Sequence, residues 1–223
     1  MSRKKTRSAA WLLLASLWTM PALAAERPPA APMAGFARYE FNKWLFRPCL
    51  GTGPSSKLAS DGLIFIDASR GRETFSAIQQ RWQQSADPLR GIYLEFSGYE
   101  ENGRVSATDL QRALGWVESC AQRPTNVAAE TRIWAAGNEP GWNFVVGPRA
   151  AVWRTPEGEI ELPLRPLQHA GDTVAYDAAL GTRRLRIELT TGLCSDTMSE
   201  AAFGRRAVVA FEGRLFTGCG LLR

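Results

Sequence analysis

Two short stretches of the chain hold residue types that could do chemistry at a shared surface. The first is Gly137-Asn138-Glu139-Pro140-Gly141-Trp142 and the second is Cys194-Ser195-Asp196-Thr197-Met198-Ser199. Asn138 suits an Asx turn with its own backbone, and Pro140 holds Glu139 extended. Gly141 permits backbone angles that other residues avoid, and Trp142 then enters the core as the first large residue of a strand. In the second stretch Asp196 is placed to accept hydrogen bonds from the backbone of Met198 and Ser199, and Ser199 to cap the residues after it. Structurally, both read as rigid corners. Functionally, Asn138, Glu139, Trp142, Asp196, Met198 and Ser199 are the candidate binding residues, a polar rim around an indole and a thioether.

The signals for catalysis are sparse. His169 is the only histidine, and it comes after Pro166-Leu167-Gln168 in a stretch that reads as a loop. No G-x-S-x-G elbow accompanies it, so a Ser–His–Asp triad has no sequence support. Glu139, Asp177 and Asp196 would make a carboxylate-dependent hydrolase of wall or glycan material if they met at glycosidase spacing, about 5–9.5 Å. No phosphate-cradling glycine loop or dinucleotide fingerprint is present, and no cofactor is expected. One methionine does not make a copper(I) site, and without a C-x-x-C pair the four cysteines do not suggest zinc. No metal site is expected either.

The elements that must position these residues are mainly strands. Trp142, Phe144 and Val146 alternate, as do Ile160, Leu162 and Leu164, and again Leu185, Ile187 and Leu189. Period-two patterns of this kind give half-buried antiparallel strands, and several short ones at even spacing argue for a barrel or sandwich. In the first half, the apolar residues of Tyr39 to Leu45 fall two apart and predict one strand. Leu63 to Ile66 and Ile92 to Phe96 predict two more. Phe75, Ile78 and Trp82 recur at three and four, which predicts a helix that Pro88 must end. Residues 105–117 are ambiguous: Leu110, Ala113, Leu114 and Val117 suit a helix, but the hairpin-type Glu101-Asn102-Gly103 before them favours a strand. Gln122 to Glu130 lacks a period and reads as a linker.

The N-terminus and the cysteines indicate the compartment. Arg3, Lys4, Lys5 and Arg7 precede an apolar run from Ala9 to Trp18 and small residues at Ala22 and Ala24, the pattern of a signal peptide cut after Ala24. The net charge of +5 owes most of its excess to those four basic residues. The mature chain is near neutral, which argues against nucleic-acid binding. Four cysteines in an exported chain imply disulfides and allow three pairings. One bridge in each half, Cys49–Cys120 and Cys194–Cys219, is the expectation.

The joint occurrence of Gly137-Asn138-Glu139-Pro140 with Trp142, then Cys194, Asp196, Met198 and Ser199, then Gly218-Cys219-Gly220, resembles a family of bacterial envelope proteins, many of them lipoproteins. That resemblance covers roughly residues 131–223. Phe46-Arg47-Pro48-Cys49, the Ile64 strand, Ile92 to Gly98 and Cys120 are similar to a module placed before that domain, akin to the small barrels of NlpE-like envelope lipoproteins. The resemblance implies two envelope β-domains in tandem and no reaction. The chain departs from the lipoproteins in lacking an acylated cysteine after residue 24, and from copper-handling relatives in lacking their paired cysteines.

The expected fold is therefore mainly β. Two small antiparallel β-barrel-like domains, the first with one α-helix, come after a signal peptide. The expected boundaries are a signal peptide at 1–24, a flexible leader at 25–33, a first domain at 34–121, a linker at 122–130 and a second domain at 131–223. The expected function is that of an exported periplasmic binding or interaction protein. Its candidate partners are an envelope protein, a peptidoglycan fragment or a lysozyme.

Overall fold

The computed structural model describes residues 29–49, 64–67, 72–83, 91–101, 104–115, 117, 119–122, 127–128 and 130–223. The signal-peptide pattern and the Asn102-Gly103 turn lie outside these. The fold is mainly β, with fourteen strands and one α-helix among the described residues.

The first half builds a closed ring. Its elements are β1 (Ala31–Glu40), β2 (Lys43–Pro48), β3 (Ile64–Asp67), α1 (Arg72–Gln83), β4 (Ile92–Glu101) and β5 (Arg104–Leu114). Antiparallel pairs join β2 to β1, β1 to β4 and β4 to β5, and β3 lies on β2. A parallel pairing of Phe65–Asp67 with Arg104–Ser106 closes the circle. Five strands in the order 1-2-3-5-4, with the helix between the third and fourth, make an OB-type barrel. Its interior is filled by Trp44, Phe46, Leu94, Phe96 and Leu110, and α1 adds Phe75 and Ile78 from one face. Edge-to-face contacts of Phe75 with Trp44 and Phe96 seat the helix.

Three expectations change here. β1 starts at Ala31 and buries Met33 to 4% exposure, so the last residues of the expected 25–33 leader belong to the sheet. Residues 39–45 are not one strand but a hairpin: Phe41 and Asn42 both have positive φ, 51° and 61°, and Glu40 pairs with Lys43. Two positive φ values are the signature of a type I′ turn, which turns most readily on Asn-Gly. With phenylalanine there, the period-two pattern runs on through the turn. Residues 105–114 are strand, as the hairpin argument favoured.

The second half is an up-and-down meander. It comprises β6 (Ile133–Asn138), β7 (Gly141–Val146), β8 (Ala151–Thr155), β9 (Gly158–Leu162), β10 (Gln168–Ala170), β11 (Thr173–Leu180), β12 (Arg183–Ser195), β13 (Ala202–Phe211) and β14 (Arg214–Leu222). Neighbours pair antiparallel except across β9 and β10, and β14 returns to β6. Pro163 and Pro166 lie in that break, where neither can donate to a ladder. The Tyr176 hydroxyl donates to the Pro163 carbonyl at 2.6 Å and tethers the two sides. Inward residues Trp142, Phe144, Trp153, Tyr176, Ile187 and Val209 form a second core.

The two rings share one sheet. The first residues of β13 pair with β5, Ala202 with Ala113 and Phe203 with Arg112. A third apolar layer fills the junction, with Tyr93, Leu114, Phe203 and Leu221 among its members. Val127, inside the expected linker, is buried in it. β13 passes so close to β5 that a Cβ on Gly204 would collide with the carbonyl of Leu110. Ion pairs cross the same junction. Arg205 of β13 meets Asp109 of β5 at 2.9 Å, and burial pushes the Asp109 carboxyl up against the guanidinium's pull. Glu95 of β4 receives Arg112 at 2.8 Å, Arg223 at 3.1 Å and the Tyr93 hydroxyl at 3.0 Å.

Both disulfides form in the expected pairing, Cys49–Cys120 and Cys194–Cys219, with Cα separations of 5.6 and 5.4 Å. All four cysteines belong to the junction layer. Among the described residues no helix is long and apolar enough to cross a membrane.

Candidate functional site

The two motif stretches meet. Asn138 ends β6 and its side-chain amide donates to Asp196 Oδ1 at 2.8 Å, across 58 residues of sequence. The Asx turn expected of Asn138 has no donor, because Pro140, two residues on, lacks an N–H. Asp196 comes directly after β12, beyond a bulge between Thr191 and Cys194 that includes Gly192 at a φ of 153°. Past the bulge Cys194 and Ser195 pair with Phe203 and Ala202 of β13, and the Cys194–Cys219 bridge ties the end of β12 to β14.

Around Asp196 the loop is tightly bonded, as its sequence suggested. The Met198 N–H donates to Asp196 Oδ1 at 3.0 Å, and the Ser199 hydroxyl donates to Oδ2. Ser199 Oγ in turn accepts from the Ala201 N–H at 3.4 Å. The Ser199 hydroxyl bond, with the Met198 N–H and the Asn138 amide after it, holds the Asp196 carboxyl below the ordinary carboxylate range. A group with a depressed folded-state pKa stabilises its loop above the unfolded-state pKa, and that stabilisation fades as pH falls through the folded value. Amide exchange at Met198, taken relative to the intrinsic rate at each pH, should therefore stay slow at neutral pH and rise below about pH 4. In Asp196→Asn it should be fast throughout and lose that pH step.

The corner's tight packing depends on glycines other than the one expected. Gly141 has no positive φ, and a Cβ there would meet nothing. A Cβ on Gly137 would strike the Thr217 carbonyl and the indole of Trp142, and one on Gly218 would strike the carbonyl of Ala136. Both glycines let β6 and β14 close over Trp142, whose Nε1 donates to Thr217 O at 3.2 Å. Trp142 is thus core, 4% exposed and beside Trp153, rather than part of a binding rim. The Glu139–Pro140 peptide is cis, and Glu139 is exposed at the turn.

A third anchor was not legible in the sequence. Arg81, from helix α1 of the first ring, donates to Ser195 Oγ at 2.7 Å and to the Glu200 carbonyl at 3.0 Å. Its only sequence signal was a place on the polar face of that helix. The loop is therefore fixed by a disulfide, by Asn138 and by Arg81. Met198 nonetheless stands 78% exposed on it. Between the loop and the outer face of β6, β14 and β13 runs an open groove of about 500 Å³, floored by Ala136, Val208 and Thr217.

The carboxylates expected for a hydrolase do not assemble. Asp177 pairs with Arg186 across the β11–β12 ladder, and Arg186 stands ten residues before Asp196 along the β12 strand. That is roughly 30 Å of strand, several times the glycosidase spacing. Glu139 lies at the Asp196 end, next to Asn138. His169 is in the short exposed strand β10 rather than a loop. Among the described residues no three potential metal ligands cluster.

No family model matches the chain, and neither the curated proteins nor the solved structures provide a match.

Proposed function

We propose that this protein is an exported envelope binding module that presents the 195–200 loop to a macromolecular partner. The observation that carries the reading is Met198: a large apolar side chain left in solvent on a loop held from three directions. A loop fixed before it binds loses little conformational entropy on binding, and an exposed thioether on it is a ready apolar anchor. Glu139 and Thr197 supply a polar rim around it. The signal-like N-terminus and the two disulfides support a periplasmic setting.

Immobilised mature protein should capture a partner from envelope extract. Met198→Ser should weaken that capture by about thirtyfold, the scale of a hot-spot residue of roughly 2 kcal/mol. Glu139→Ala should weaken it less. Because Met198 makes no packing contact the fold depends on, its variant should melt like the parent. If every captured species binds Met198→Ser and Glu139→Ala as tightly as the parent, the loop is not the binding surface.

A further inference from the structure

The outer face of β11 to β14 carries a second feature, away from the motif loop. The registers set Asp177, Arg186, Ala210 and Leu215 in one row across four strands. Arg184 stands two residues from Arg186 on the same face. Arg165 approaches from the segment entering β10, on the side of β11 away from β12. Together they line an open groove of about 710 Å³.

The carboxylates of this face are already matched. Asp177 and Glu188 both pair with Arg186, and Glu212 pairs with Arg183. Glu157 lies within the field of Arg214, whose guanidinium sits over the Phe216 ring at 5.0 Å. Arg165 and Arg184 form no ion pair with a carboxylate among the described residues, and both are exposed. Beyond Arg184, away from Arg165, the floor is apolar at Ala210 and Leu215, the last 73% exposed, while Ala179 and the paired Asp177 lie on the β11 side.

We infer that this groove docks an acidic peptide segment of a protein partner, with carboxylates on Arg165 and Arg184 and an apolar side chain on Leu215. Guanidinium forks favour carboxylates, and the two unmatched ones give the face a local positive excess. The groove is open and crosses four strands, about 14 Å at the spacing of neighbouring strands. A free inorganic anion would occupy one guanidinium and leave the apolar floor in water, whereas a peptide covers both.

The test uses the mature full chain and a short fluorescent peptide of alternating glutamate and leucine, with a lysine–leucine peptide of equal length beside it. The acidic peptide should bind and the basic one should not. Arg165→Ala/Arg184→Ala should weaken binding at least tenfold, since both charge-assisted contacts to the peptide carboxylates are lost. The charge-matched double Arg132→Ala/Arg149→Ala, on exposed arginines elsewhere, should stay within about twofold of the parent. Leu215→Ser should weaken binding several-fold. Equal losses in the two arginine doubles would reduce the effect to net charge and overturn the site. So would an absence of binding by the parent at low salt. Complete displacement by inorganic phosphate at millimolar concentration would reassign the groove to small anions and overturn the peptide.

Discussion

Glu95→Ala is expected to destabilise the protein by about 3–5 kcal/mol, the cost of breaking a buried ion pair from one side. Its Arg112 partner has a side chain only 3% exposed and cannot turn to water. The same carboxylate also holds Arg223 and the Tyr93 hydroxyl, so one substitution removes a bond from groups of both rings. The extra residue of a bulge, Gln111, lies on β5 opposite the step from Glu95 to Phe96, and ordinary alternation along β4 turns the carboxylate to the junction while Phe96 stays inside the first ring. Urea unfolding is the check, with a fall in melting temperature of roughly 10–15 °C beside it. Replacing both partners, Glu95→Leu with Arg112→Leu, should recover part of the loss, because the most deeply buried charge, that of Arg112, goes with its partner, while the less buried Arg223 still loses its carboxylate. A single Glu95→Ala variant as stable as the parent would mean that the network carries no weight.

The second large effect belongs to Cys49–Cys120. This bridge closes 71 residues of sequence against 25 for Cys194–Cys219. In the chain-entropy model those loops correspond to about 4.4 and 3.5 kcal/mol. Cys49→Ser/Cys120→Ser should therefore cost more than Cys194→Ser/Cys219→Ser. The first bridge also fastens the end of β2 to the stretch that leaves the first ring, so its loss loosens the junction layer directly. Denaturation of both double variants, without reductant, measures the difference. The Cys194 variant should also speed amide exchange at Met198, which the Cys49 variant should leave near the parent rate.

Much of the strand content could be read from the sequence, because alternation reports a strand whose two faces differ. Trp142, Phe144 and Val146 line the second core as their spacing suggested, and so do Leu185, Ile187 and Leu189. The same rule failed where a strand is covered on both sides. In β4, Ile92, Leu94 and Phe96 face the first ring's interior, and alternation alone would turn Tyr93 and Glu95 to water. They are buried because the second ring lies over them. The hairpin at Phe41–Asn42 was missed because its turn lacks the glycine that usually marks positive φ. The parallel β3–β5 contact leaves no local trace at all. At the candidate site, the bonds within the Asp196 turn were legible, being two and three residues long. The Asn138 amide and Arg81 were not, since each meets its partner only through the closed fold.

The sharing of β13 between the rings fixes more than stability. Its opening residues are rungs of both ladders, so the barrels cannot swivel about a hinge as tethered modules would. The 195–200 loop and the helix whose Arg81 grips it therefore meet a visitor as one pre-aligned surface. A partner large enough to touch both would lose no orientational freedom between the modules on docking, and its contacts on each would add without that penalty.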